Sequence, residues 1–429
     1  MQINRPRGTK DLFKKELNQY NFVIDTCKNL AKNYGFEEII IPTFEHSELF
    51  KRNNENSDIV KKELYEFKDR GNRSIALRPE GTASLIRCLG ENKLLKTEPL
   101  PLKIFMYGSM FRYERPQDKR QREFQQFDVE IVGTNSKYDV VDVISYGNEI
   151  IKKLNLANQT ELKINFIGSF ATRTKWIKAL QNYFKDYVHE LTELSKERID
   201  TNPLRILDDK IDSKLPCVIN APKINNFLSS QEKASFEETL KLLDLLNINY
   251  KVTDNLVRGL DYYTDIVFEF VDIKNDITII GGGQYDKLVE ELTGIDLKAI
   301  GLAVGVNRCA NMLNDQILEQ ISMNLSNKIV LIGLDNVPEN EILKYSQILK
   351  NNGCPLIYFS KIKDIKKAIK LAERINYRFL GIIGLKENQN KEIQIKDLFN
   401  KKQELLKQDN LLKWWTDKLN NENSKSNSN

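Results

Sequence analysis

Glu123-Phe-Gln-Gln-Phe-Asp-Val-Glu-Ile-Val132 alternates from Gln126 onward, with Gln126, Asp128 and Glu130 on one side and Phe127, Val129 and Ile131 on the other. A period of two marks a β-strand with two unlike faces. Upstream, residues 103–114 form a second strand-like run with Arg112 near its end. The eight residues between, 115–122, hold Arg115, Lys119, Arg120 and Arg122. Two strands joined by one basic loop predict an antiparallel hairpin. Its apolar face belongs to a core. Its other face carries an amide and two carboxylates. A solvated outer face is the usual fate of such residues; beside a cationic loop they could instead cradle a triphosphate, a metal ion and a nucleic-acid end.

Outward from the hairpin, Val23, Cys27, Leu30, Ala31 and Tyr34 recur at helical spacing and predict a helix over 16–34. Gly35 caps it, with Phe36 folding back on the last turn. A strand over 37–41 stops at Pro42. Leu77-Arg-Pro-Glu-Gly-Thr82 joins a short strand to a helix, with Thr82 as candidate N-cap; simple capping explains Thr82, while the Glu80 carboxylate could equally receive a ligand ammonium group. Leu256-Val-Arg-Gly-Leu-Asp-Tyr-Tyr-Thr264 leads into a strand over 265–270, and puts an arginine fork and two flat aromatic walls at a strand edge. A strand over 276–280 precedes Gly281-Gly-Gly, expected as a turn or a glycine wall before a helix over 286–292. Arg308 opens a helix after Gly301 and Gly305, a second candidate phosphate ligand.

The region 170–250 has charged helical patterning with Pro203, Pro216 and Pro222 as breaks, and is expected to be a helical insertion. From about residue 326 short apolar strands alternate with helices, predicting a small α/β domain over 326–419 with a largely parallel sheet. Residues 420–429, rich in Asn, Ser and Lys, are expected to be disordered.

The 429 residues are enough for two or three domains. Hydrophobic residues make up 41% and charged residues 29%, with no apolar run long enough to span a membrane. The first residues lack the apolar core of a secretory signal. Five dispersed cysteines without a CxxC pair argue against a zinc site and for reduced thiols, so a cytoplasmic location is expected. Two histidines, His46 and His189, argue against a histidine-based triad or a histidine-rich metal site. A net charge of +5 is too mild for a DNA-coating protein.

Arg7-Gly-Thr-Lys-Asp-Leu12, Leu77-Arg-Pro-Glu-Gly-Thr-Ala83, Phe111-Arg-Tyr-Glu-Arg-Pro-Gln117, Leu256-Val-Arg-Gly-Leu-Asp-Tyr-Tyr263, Gly282-Gly-Gln-Tyr-Asp286 and Gly301-Leu-Ala-Val-Gly305 occur in that order. Over almost its full length the chain resembles the histidyl-tRNA synthetases, class II aminoacyl-tRNA synthetases. The resemblance implies an α+β catalytic core over 1–325, an antiparallel sheet flanked by helices, followed by an α/β anticodon-binding domain. It implies a homodimer joined at the helix–strand element ending at Pro42. It also implies activation of L-histidine with ATP and Mg²⁺ and transfer to the 3′ end of tRNA(His), with no DNA or membrane partner.

Residue by residue, it implies Arg112 at the α-phosphate and Arg308 at the γ-phosphate. Glu80 and Thr82 would bind the histidine amino group, with Gln126 near its carboxylate. Glu130 and Tyr263 would contact the imidazole, with Tyr262 and Tyr285 nearby. Arg258 would stabilise charge at the α-phosphate, and Gln117, Arg120 and Arg122 would face the tRNA acceptor end. No resident metal is implied. The chain departs from the family pattern at Gln284 (usually Arg), Lys287 and Lys119 (usually Gly) and Asn307 (usually Glu). Two other readings are a histidine-sensing regulatory subunit of ATP phosphoribosyltransferase and a plain RNA-binding protein. The first usually lacks the C-terminal domain and the Arg-Gly-Leu-Asp-Tyr-Tyr stretch; the second gives no reason for Glu80, Glu130 and the tyrosines.

Overall fold

Helix α1, Lys14–Asn33, buries Val23, Ile24, Cys27, Leu30 and Ala31 along one stripe. It ends as its sequence predicts: Gly35 takes a φ of +79°, and the Phe36 N–H donates to the Ala31 carbonyl at 2.9 Å. The structure, a computed structural model, describes residues 3–51, 63–114, 121–134, 136–209, 211–257, 262–334 and 337–426. The chain divides into two compact units, Met1–Asn314 and Asp315–Asn429. The expected boundary lay at 325/326; the helix Asp315–Ser326 accounts for the difference, since it belongs to the second unit.

In the first unit the strands are β1 Glu37–Glu38, β2 Phe44–His46, β3 Glu66–Lys68, β4 Ser74–Leu77, β5 Leu102–Phe111, β6 Glu123–Val132, β7 Thr160–Phe166, β8 Lys251–Val252, β9 Tyr263–Asp272, β10 Ile277–Tyr285 and β11 Ala299–Gly305. Among the described residues eight of them form one sheet in the order β1-β5-β6-β11-β10-β9-β7-β8. The six central strands pair antiparallel, and parallel pairs close the two edges. Strands β2, β4 and β3 form a separate small sheet.

The hairpin β5–β6 is thus central, with β6 clamped between β5 and β11. Phe127, Val129, Leu302, Val304, Ile280 and Phe268 are buried on one face, where α1 and the helices Lys137–Lys153 and Val306–Met312 pack. On the other face, helices Thr82–Glu91 and Lys287–Thr293 cover part of the sheet through Leu85, Ile86, Leu89, Leu288 and Val289. The strand β10 runs straight through Gly281–Gly283, so these glycines lie in the sheet and not in a turn. Between β7 and β8 lie the helices Phe170–Lys185, Glu193–Thr201, Leu204–Leu207, Pro216–Ile219 and Ser230–Leu245. Most of them share a core of Trp176, Leu180, Phe184, Ile206 and Val218.

The second unit holds β12 Ile329–Gly333, β13 Leu356–Tyr358, β14 Phe379–Ile383, β15 Glu392–Asp397 and β16 Lys402–Lys407, in the order β13-β12-β14-β15-β16. Strands β13, β12 and β14 are parallel as expected, but β14–β15 and β15–β16 are antiparallel. The sheet is therefore mixed, not largely parallel. The hairpin β15–β16 escapes a hydrophobicity reading because β15 buries only every second residue and β16 buries none fully. The last helix, Leu411–Ser426, runs through most of the segment expected to be disordered. No Gly or Pro interrupts that helical pattern, and Leu411, Trp414 and Trp415 anchor its first turns in the core. Among the described residues, no helix is long and apolar enough to cross a membrane.

Candidate active site

On the polar face of β6, Gln126 is 9% exposed, Asp128 0% and Glu130 2%. The solvated alternative fails. An amide and two carboxylates lie buried in the middle of a sheet, an arrangement that opposes folding unless a ligand repays it. Their neighbours on β11 make room: Glu130 stands opposite Gly301, Asp128 opposite Ala303 and Gln126 opposite Gly305. One strand further, Gly283 and Gly281 stand opposite Gly301 and Ala303. Small residues thus floor a trough beside the polar row. A Cβ at Gly301 would collide with Oε2 of Glu130, so the glycine is where the carboxylate sits.

Both oxygens of Glu130 are held. The Thr82 hydroxyl donates to Oε1 at 2.8 Å, and the Tyr285 hydroxyl donates to Oε2 at 2.7 Å. Thr82 is therefore not the N-cap it resembles in sequence; it is the first residue of the helix Thr82–Glu91, with Gly81 at the cap position. The capping falls to Glu80, whose two carboxylate oxygens accept from the Ala83 N–H at 3.1 and 3.3 Å. The sequence suggested the reverse, because Thr and not Glu is the familiar capping residue. Burial pushes the Glu130 carboxyl up to about 8, against the pull of the Tyr285 and Thr82 hydroxyls. It likewise pushes Asp128 up to about 7, with the Glu80 charge adding to the rise.

Tyr262 and Tyr263 close the trough from the start of β9, with ring centroids 4.9 Å apart. Tyr285 meets Tyr262 edge-on at 5.5 Å. The Tyr262 hydroxyl is buried without a hydrogen-bond partner among the described residues. Arg173, on the first helix of the insertion, donates to the Tyr263 carbonyl, tying that helix to the site.

Three arginines frame the polar end. Arg112 follows the last residue of β5; its Nε donates to the Pro79 carbonyl at 2.9 Å and its guanidinium stacks 5.2 Å from the Phe124 ring. That fixes the fork next to Glu80. Arg308, third residue of the helix Val306–Met312, donates to the Thr278 carbonyl at 2.6 Å. Arg122 stacks 3.9 Å from the Tyr113 ring at the base of the basic loop. Its N–H donates to the Gly8 carbonyl at 2.7 Å, which docks the Arg7-Gly8-Thr9 stretch there. Arg258, Gln117 and Arg120 lie outside the described residues.

The structure also explains two departures. Gln284 sits where β9 and β10 slip register, and its Oε1 accepts from the Ile266 N–H at 3.2 Å. Asn307 accepts from the Gln125 N–H at 2.7 Å through Oδ1, bracing β6 one residue before Gln126. Arg78 is a residue the sequence did not mark. It is buried, and donates to the carbonyls of Ser109, Ile41 and Pro42 at 2.9, 3.1 and 3.3 Å. Only its place in Leu77-Arg-Pro-Glu-Gly-Thr82 hinted at a role.

Carboxylates, tyrosines and an amide in one trough suit a small zwitterion with an aromatic ring that donates a hydrogen bond. Fixed arginines beside it suit phosphate oxygens. Among the described residues no group of three or more His, Cys, Asp or Glu side chains could hold a metal by itself.

Comparison with known proteins agrees with this chemistry. Residues 8–309 match the family model described as histidyl-tRNA synthetase, and residues 328–418 match the anticodon-binding domain. The histidine–tRNA ligase of Ureaplasma parvum serovar 3 is 44% identical over 417 residues, covering 96% of this chain and 99% of the relative. That of Mycoplasma pneumoniae is 42% identical over 401 residues, covering 94% and 96%. The apo histidyl-tRNA synthetase of S. aureus superposes with a TM-score of 0.78 at 30% identity, covering 96% of this chain and all of that one. The polar trough, the antiparallel sheet that carries it and these matches over nearly the whole length lead to one conclusion: the chain belongs to the histidyl-tRNA synthetase family.

Proposed function

We propose that the chain activates L-histidine with ATP and transfers it to the 3′ end of tRNA(His). The observation that carries this reading is Glu130, a buried carboxylate held from both sides by hydroxyls at the end of an aromatic trough. A buried acceptor of this kind favours a ring with an N–H to offer and rejects apolar rings of similar size. Tyr263 and Tyr262 supply the walls, and Tyr285 orients Glu130. Glu80 and Thr82 take the ammonium group, and Gln126 the carboxylate.

In the first step a histidine carboxylate oxygen attacks the α-phosphorus of ATP. The new bond is carboxylate oxygen to phosphorus; the bond that breaks joins the α-phosphorus to the oxygen bridging to the β-phosphate, and pyrophosphate leaves. No general base is needed, because the attacking group is already an anion; positioning and charge neutralisation dominate. Arg112 and Arg258 act at the α-phosphate and Arg308 at the γ-phosphate. In the second step a terminal ribose hydroxyl of tRNA attacks the activated carbonyl and AMP departs. Gln117, Arg120 and Arg122 attend that end, and the second unit reads the anticodon. Mg²⁺ would enter with the triphosphate as part of the substrate and supply neutralisation of its phosphate charge. A homodimer and a reducing, cytoplasmic setting complete the reading; the five free thiols support the latter.

The test is ATP–pyrophosphate exchange with each amino acid in turn. Exchange with histidine alone is expected. Folded protein that exchanges with none would favour the regulatory relative.

A further inference from the structure

Asp128 has no place in the roles above, yet it is the most completely enclosed carboxylate of the trough. Its Oδ1 accepts from Nε2 of Gln126 at 2.7 Å. Among the described residues its buried Oδ2 has no hydrogen-bond partner and takes part in no ion pair. It lies against Gly81, where a Cβ would collide with Oδ2. A carboxyl buried on one hydrogen bond costs several kcal/mol compared with an apolar side chain of similar size. Stability therefore gives no reason for it.

We infer that Asp128 is a positioning residue: it turns the Gln126 carboxamide so that its free N–H faces the trough and grips the carboxylate of the amino-acid substrate. This rests on the histidine-activating reading and deepens it. An amide at the end of a flexible side chain can present either its oxygen or its nitrogen. The oxygen would face the substrate carboxylate lone pair to lone pair and repel it. The carboxyl oxygen Oδ1 is an acceptor, and it holds the nitrogen end of Gln126 toward Asp128. One N–H goes to Oδ1; the second has no partner among the described residues and remains for a ligand oxygen. On β6 the two side chains lie two residues apart on one face, which places them side by side. Asn307, holding the Gln125 N–H, keeps that stretch of strand from shifting.

The inference has a discriminating test, calorimetric binding of histidine and of histidinol, the amino alcohol that lacks the carboxylate. Asp128→Ala is expected to weaken histidine binding roughly tenfold, the value of one well-oriented hydrogen bond to a charged group, and to leave histidinol within about twofold. Asp128→Asn, whose side-chain oxygen can still accept from Gln126, is expected to restore histidine binding. Gly81→Ala should mimic Asp128→Ala on its own and add little in the Asp128→Ala background, where the space is empty. Equal losses for both ligands, no loss for either, or no rescue by Asn would overturn the positioning role. Wild-type protein that binds neither ligand would instead sink the histidine-activating reading beneath it, and this role with it.

Discussion

The two sheets of this chain bury their faces for different ends. In the second unit, β12 and β14 are buried at every position: Ile329, Leu331, Phe379 and Ile383 on one side, Val330, Ile332, Leu380 and Ile382 on the other. Both faces are filled by the unit's own apolar side chains, as in an ordinary α/β layer. In the first unit β6 is buried from Gln126 to Val132, but one face carries Gln126, Asp128 and Glu130. There burial opposes the charged state, and the protein accepts the cost where a ligand is to be met. The difference separates a sheet whose interior serves stability from one whose interior is proposed to serve recognition.

Substitutions should break the two sheets in opposite ways. The largest effect is expected from Glu130→Gln, which keeps shape but replaces the carboxyl proposed to meet a ring N–H: histidine-dependent pyrophosphate exchange should lose about a hundredfold or more in kcat/KM. Turnover within a few-fold of wild type would remove Glu130 from the ring site. Phe379→Ala should do the converse. It empties a buried position touching Trp414 and Trp415 and should destabilise the second unit by about 3–5 kcal/mol in denaturant unfolding, with exchange nearly unchanged. If exchange falls in parallel, the two units are not independent in the way their separate cores suggest.

A third effect is a pH slope confined to the first sheet. Glu130 ordinarily titrates at 4.5 and is raised to about 8 in the fold; Asp128 ordinarily titrates at 3.8 and is raised to about 7. Between the ordinary and the raised values the folded chain keeps protons that the unfolded chain has lost. Their contribution to stability is therefore full below about pH 4 and is lost as pH rises through about 7 to 8. Thermal unfolding followed from pH 5 to 9 should decline across that window, and Glu130→Gln should flatten the decline and raise the melting temperature at pH 8. An unchanged slope in the variant would show that Glu130 keeps an ordinary titration. If its ring meets Glu130 as proposed, bound histidine should shift the slope too.

Much of the site was legible because its residues sit in short, unusual stretches. Glu80, Thr82, Arg112, Gln126, Glu130, Tyr262, Tyr263, Tyr285 and Arg308 could all be named from linear context. Their partnerships were not legible. Thr82 looked like a cap and instead donates to Glu130 from 48 residues away, while Glu80 does the capping. The glycines of β10 read equally as a turn or as a glycine wall, since nothing local distinguishes a turn glycine from one that makes room across a sheet. The hairpin β15–β16 and the helical course of 420–426 were missed because their hydrophobic signal is thin.

The sequence alone therefore determined the alternation of β6, the capped end of α1, the α/β rhythm of the second unit and the family. Each is carried by residues adjacent in the chain or a turn apart, where backbone geometry dictates which side chains share a face. Only the tertiary structure decided that the polar row of β6 is buried, that Gly301 and Gly81 open space for Glu130 and Asp128, and that Asp128 holds Gln126. Burial and close approach depend on which strands become neighbours. Strand order joins β6 to β11 across more than 160 residues of intervening chain, a pairing that no local periodicity encodes.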